Sequence, residues 1–143
     1  MQDNIQTGKK SLSVLIAGPY RSGTGGDPEK IAKNLRYLES FALPIFEAGH
    51  LPFIGEWLAL PIVNAAIDAV GNPTEQTLAE LSEQYLYPVA HRLIERCDAV
   101  LRVPGESNGA ELDVKVARQL GLKVFYSLDE LLAYESSFSE PVG

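Results

Sequence analysis

The chain has 143 residues, 45% of them hydrophobic and 22% charged. That is enough for one domain to bury a core without staples, and unlike a disordered chain. Its formal charge of −7 argues against a nucleic-acid polymer as partner, since phosphate backbones are bound through an excess of Lys and Arg. A small phosphate ligand needs only local donors and stays open. Cys97 is the only cysteine, so no internal disulfide can form, a zinc cluster is excluded, and a reducing, cytoplasmic setting is expected. Residues 1–10 are polar, without the long apolar run and cleavage site of a signal peptide, and read as a flexible tail.

Leu12 to Gly18 (LSVLIAG) is a short apolar run stopped by Gly-Pro, as in a strand buried on both faces. A polar, glycine-rich segment follows, Pro19 to Asp27. Asp27 and Pro28 then make a helix start, an N-cap with proline at the first helical position. Ile31, Leu35, Leu38 and Ala42 carry the helix to about Ala48, with a kink expected at Pro44. Gly49 closes it, His50 is expected to support the turn, and Leu51 to Ile54 reads as a second strand. Leu51 to Val70 is 20 mostly apolar residues, but Glu56, Asn64, Asp68, Pro52 and Pro61 are costly at membrane depth. It therefore reads as core, and no membrane partner is expected.

Asn72, Pro73 and Glu75 resemble another capped start, leading a helix from Thr74 to Arg96 that Pro88 should interrupt. Tyr85, Tyr87 and His91 on it sit at helical spacing and read as core or subunit interface. Ala99 to Val103 is a third strand and Leu122 to Tyr126 a fourth. Between them a helix spans about Asn108 to Leu120, ended by Gly121. Ser127 with Glu130 predicts a capping box for a last helix, and residues 136–143 read as a second tail. Residues 11–135 thus form one α/β domain, a three-layer Rossmann/flavodoxin-like fold with a mainly parallel sheet of four to five strands. Ligands of such sheets sit beyond the carboxyl ends of the strands. Those ends carry Gly18 to Arg21 and Val103 to Gly109, both small or polar loops that lead into helices.

Ser107 to Ala117 (SNGAELDVKVA) carries the most chemistry. At 100° per residue, Glu111, Lys115, Arg118 and Gln119 share one arc, and Glu111 precedes Lys115 at ion-pair spacing. Asp113 falls opposite, amid Ala110, Leu112, Val116, Ala117 and Leu120. A carboxylate on an apolar arc has to be hydrogen-bonded, paired (to loop amides or Arg21) or functional. Ser107 reads as an N-cap, as a ligand donor together with the amides of Asn108 and Gly109, or as both.

IAGPYR (Ile16 to Arg21), Asn34, AGHLP (Ala48 to Pro52), CDAVLRV (Cys97 to Val103) and SNGAELDVKVARQLGLKV (Ser107 to Val124) occur in this order. In these motifs the chain resembles the nucleoside 2-deoxyribosyltransferase-like superfamily, which includes the 2'-deoxynucleoside 5'-monophosphate N-glycosidases, over roughly Leu12 to Leu132. The resemblance implies a carboxylate nucleophile six residues after Ser107, four before Ala117 and eight before Gly121. That position is Asp113, where the family has glutamate, and Glu111 is the fallback. It further implies a small-molecule partner, a nucleoside or, through Ser107, a 5'-monophosphate. Gly18, Tyr20, Arg21 and Ser22 would supply phosphate and substrate contacts. Glu56 and Trp57 would lie where the base binds, although Trp57 also reads as core. The implied chemistry is cleavage or exchange of an N-glycosidic bond, needing no metal or redox cofactor, in a homodimer or higher homo-oligomer. A non-catalytic nucleotide-binding or sensing domain with the same pocket is the rival reading.

Overall fold

The structure is a computed structural model and describes residues 11–138. Four strands form one parallel sheet: β1 (Ser13–Ala17), β2 (Leu51–Phe53), β3 (Ala99–Arg102) and β4 (Lys123–Phe125), in the order β2-β1-β3-β4. The register pairs Val14 with both Pro52 and Ala99, and Val100 with Val124. The helices are α1 (Pro28–Glu39), α2 (Ala42–Glu47), α3 (Gly55–Val70), α4 (Glu75–Ile94), α5 (Asn108–Gln119) and α6 (Leu128–Phe138). This is the expected three-layer α/β fold.

Alternation along the central strands builds a core on each face. Val14, Ile16, Leu101 and Val103 pack with Leu38 of α1, Ile45 of α2 and Leu131 of α6. Leu15, Ala17 and Val100 face the other way, onto Leu93 and Ile94 of α4 and Ala110 and Ala117 of α5. α3 packs chiefly along α4. The chain leaves β1 toward β2 on one side and returns to β3 on the other, so a crevice opens beyond the carboxyl ends of β1 and β3. No described helix is long and apolar enough to cross a membrane.

Several local expectations hold at the atomic level. Asp27 caps α1 by accepting from the Glu29 amide at 3.1 Å, and Ser127 Oγ accepts from the Glu130 amide at 3.1 Å. Glu130 closes its half of the box on the Tyr126 amide, at 2.8 Å, one residue earlier than the usual motif. Gly121 ends α5 with φ +76°. His50 is buried and its Nδ1 accepts from the Leu12 amide at 3.0 Å, tying the start of β1 to the lead-in of β2.

The prolines depart from expectation. No kink occurs at Pro44. Instead α1 stops at Glu39 and a new helix starts at Ala42. A proline ring clashes with the carbonyl four residues back, here Ser40, so the break falls a turn early and Pro44 sits harmlessly in a first turn. Pro88 does not interrupt α4, and Pro61 lies within α3. Both are on exposed faces, as are Gln84 and Trp57 four residues before them, so the released carbonyls face solvent. α3 itself has no predicted counterpart. α6 reaches Phe138, into the stretch assigned to the second tail; residues 1–10 and 139–143 lie outside the described ones.

Candidate active site

The crevice holds a cavity of about 240 Å³. Its floor is the loop after β1, with Gly18, Tyr20, Arg21 and Ser22. One wall is the start of α5, with Ser107, Asn108, Gly109, Ala110 and Asp113; the other is Glu56 of α3 and a stripe of α4. A second hollow, about 390 Å³ and lined largely by apolar side chains of α1, α3 and α4, adjoins it across Tyr20, Arg21 and Ser82.

Close packing shapes the floor. A Cβ on Gly18 would collide with Val103 and come within 2.7 Å of Leu38 Cδ2, so only glycine lets the strand ends meet there. Gly105, at φ +125°, lies against Pro19, where a Cβ would fall 2.7 Å from Cγ. The glycine-rich segment is pinned from within. The buried Thr24 hydroxyl donates to the Arg21 carbonyl at 2.6 Å, and Asn34 Nδ2 donates to the Tyr20 carbonyl at 2.8 Å. That gives Asn34 a concrete task.

Ser107 is buried and caps α5, its Oγ accepting from the Ala110 amide at 3.1 Å and lying 3.4 Å from the Gly18 carbonyl. The amides of Asn108 and Gly109, ahead of the first helical hydrogen bonds, stand at the cavity with the positive end of the helix behind them. The core side of α5 is Ala110, Val114 and Ala117, with Asp113 on the same side. Leu112 and Leu120, expected beside Asp113, are instead 39% and 48% exposed. Cavity and core demand a narrower stripe than the apolar residues suggest.

Asp113 is 13% exposed. Burial raises its pKa to about 7, the Glu56 carboxylate adds to the rise, and the Arg102 guanidinium opposes it. Burial likewise raises Glu56 to about 7, against a hydrogen bond from its own backbone amide. Two carboxyl groups on opposite walls thus titrate near neutrality, and the charge of Glu56 adds to the rise of Asp113. Tyr20 is raised by burial and then by Glu56, with Arg21 acting against the shift. Tyr87 is raised by burial, then by Glu83 and Asp113.

The two remaining expected site residues lie outside the cavity. Glu111 is 68% exposed and pairs at 2.9 Å with Nη2 of the buried Arg102, which also donates to the Val103 carbonyl. It braces the first turn of α5, outside the cavity in which the fallback nucleophile would have to act. Trp57 is 41% exposed and lines neither the cavity nor the core; its indole N–H donates to Glu39 at 2.8 Å. Asp113 is bound to neither loop amides nor Arg21; its neighbour is His91, with Nε2 3.5 Å from Oδ1.

What sequence reasoning missed is the α4 wall. Ser82, Glu83, Leu86 and Tyr87 line the cavity, and Tyr87 lies so close to Gly109 that a Cβ there would sit 3.0 Å from its ring. The clue was available: Glu83, Tyr87 and His91 recur every four residues, a polar stripe of which Tyr87 and His91, with Tyr85, read as core or subunit interface. Among the described residues no group of three or more His, Cys, Asp or Glu side chains could hold a metal ion. The chain matches no family model, no curated protein and no solved structure.

Proposed function

We propose that this protein cleaves or exchanges the N-glycosidic bond of a 2'-deoxynucleoside or its 5'-monophosphate, with Asp113 as nucleophile. The observation that carries the reading is the facing pair of carboxyl groups, Asp113 and Glu56, both raised to about 7 in one cavity. Groups poised in this way suit one ionised and one protonated role at the same pH. The ionised Asp113 attacks the anomeric carbon as the carbon–nitrogen bond breaks, and Glu56 passes its proton to the departing base. The glycosyl ester is then opened by water, which gives a hydrolase, or by a second base, which gives a transferase. In either case Glu56 takes the proton back from the incoming nucleophile.

The rest of the cavity supports this pose. A 5'-phosphate fits the Asn108 and Gly109 amides and Arg21. The base then extends past Tyr20 toward Ser82 and the adjoining apolar hollow. The resemblance named earlier points to the same reaction and to a homo-oligomer. An apolar flank of α3, with Leu58 49% and Ile62 44% exposed, supports the oligomer; sedimentation as a monomer would exclude it.

One observation favours the rival, a nucleotide-binding or sensing domain. Aspartate is a methylene shorter than the glutamate the resemblance expects, and misplacement by about 1 Å can cost ~100-fold in rate. The deciding experiment incubates the protein with the four deoxynucleosides and their monophosphates, with and without a free acceptor base, and follows the bases by chromatography. Released base identifies a hydrolase and exchanged base a transferase. Binding of the same compounds without turnover selects the sensor.

A further inference from the structure

His91 has no task in the reaction just described, yet its position is unusual. It lies in the last turn of α4, one helical turn beyond Tyr87, and faces α5. Its Nε2 is buried and makes no hydrogen bond, although Asp113 Oδ1 lies 3.5 Å away. The side chain as a whole is 32% exposed, so the other edge of the ring reaches toward water. A buried ring nitrogen left unpaired is costly, and the carboxylate is the acceptor within reach.

We propose that His91 is the positioning residue of Asp113, donating from Nε2 to Oδ1 so that the carboxylate presents its other oxygen to the cavity. A small tightening of the 3.5 Å separation brings the pair to charge-assisted hydrogen-bond length, about 2.8 Å. Burial lowers the pKa of His91, keeping the imidazole neutral at pH 7. A neutral ring has one donor nitrogen, and the adjacent anion selects Nε2 for it. The inference rests on Asp113 as nucleophile and explains how a short carboxylate is made ready. Aspartate has fewer rotatable bonds than glutamate, and a donor behind it removes most of the freedom that remains.

The charged surroundings make the effect readable. Glu56 from α3 pushes Asp113 toward its protonated form, and Arg102 at the end of β3 pulls the other way. Tyr87 from α4 also feels the carboxylate. A donor from His91 favours the anion alongside Arg102.

The test is a carboxyl-carbon NMR titration of Asp113 in the ligand-free protein, repeated in His91→Phe and His91→Gln. Phenylalanine keeps the ring volume and removes the donor, so the midpoint of Asp113 should rise by about one pH unit. Glutamine restores a donor and should bring the midpoint most of the way back. In the active protein the acid limb of kcat/KM should move with it, while KM changes little. An Asp113 midpoint that is unmoved by Phe, or moved equally by Phe and Gln, overturns the proposal. Should the Phe variant fail to fold, the ring-nitrogen shifts of His91 at pH 8, where Asp113 is ionised, serve instead: Nε2 should carry the proton, and a proton on Nδ1 or an even mixture of tautomers overturns the pairing. Neither measurement needs turnover. Coupled titrations in an inactive protein reject the glycosidase and keep the pair, whereas uncoupled titrations in an active one do the reverse.

Discussion

The two walls of the cavity carry the same functional group on very different helices. α5 is amphipathic, capped by Ser107 and stopped by Gly121, and Asp113 stands out as a carboxylate among apolar neighbours. α3 is apolar almost all round, with Ile54 at its N-cap making no side-chain hydrogen bond and Pro61 within it. Glu56 is also raised to about 7, like Asp113, but its helix has no polar face against which an inward carboxylate would look out of place. The visibility of a buried acid in a sequence thus depends on the contrast of its helix, not on how strongly its environment shifts it.

The sharpest way to break the comparison is to neutralise each carboxyl in turn. Asp113→Asn should lower turnover about a thousandfold or more, because the nucleophile is gone. The same change should stabilise the fold. A carboxyl whose folded-state pKa lies above its unfolded value stabilises fully below about pH 4 and loses that contribution as pH rises through about 7. Thermal unfolding at pH 8 should therefore show a gain of about 1–3 kcal/mol that disappears near pH 4. A variant that is inactive but no more stable would mean that Asp113 is better solvated than its burial indicates.

Glu56→Gln should cost about a hundredfold in kcat/KM and change the shape of the pH profile. With Asp113 ionised and Glu56 protonated in the active form, the wild-type profile is a bell centred near 7. Glutamine should remove the alkaline limb and leave the acid one. Loss of the acid limb instead would exchange the roles of the two walls.

Smaller effects separate the braces from the site. Glu111→Ala deprives Arg102 of its carboxylate, but the glutamate is 68% exposed, so about 0.5–1 kcal/mol of stability is expected. Activity should stay within about tenfold, whereas abolished activity would restore Glu111 as the nucleophile. Trp57→Ala should leave ligand affinity within about twofold and stability within about 0.5 kcal/mol, since the side chain is an exposed donor to Glu39. Calorimetric titration with a monophosphate checks the affinity, and thermal unfolding the stability.

The four strands and the ends of α5 were legible because they rest on local chemistry: Gly-Pro after β1, a serine cap, a glycine stop. So was Asp113. Separating Glu56, inside the cavity, from Trp57, outside it, was not, because neighbouring residues on α3 point about 100° apart and an all-apolar helix fixes no phase. The α4 wall was hidden for another reason. Tyr87 and His91 acquire meaning from Gly109 and Asp113, which meet them only after the sheet has closed. Pro88 misled where exposure decided: like Pro61, it lies on a helix face whose freed carbonyl meets water.

Gly18 lies against Val103, and Gly105 against Pro19. Each loop of the floor therefore fills the space that a side chain of the other would need, and neither can shift without driving the other along. The floor is a mould already set when the substrate arrives, so its ordering adds little to the entropy lost on binding. Any closing stroke is left to the opposite side, where α3 and α4 lean chiefly on each other.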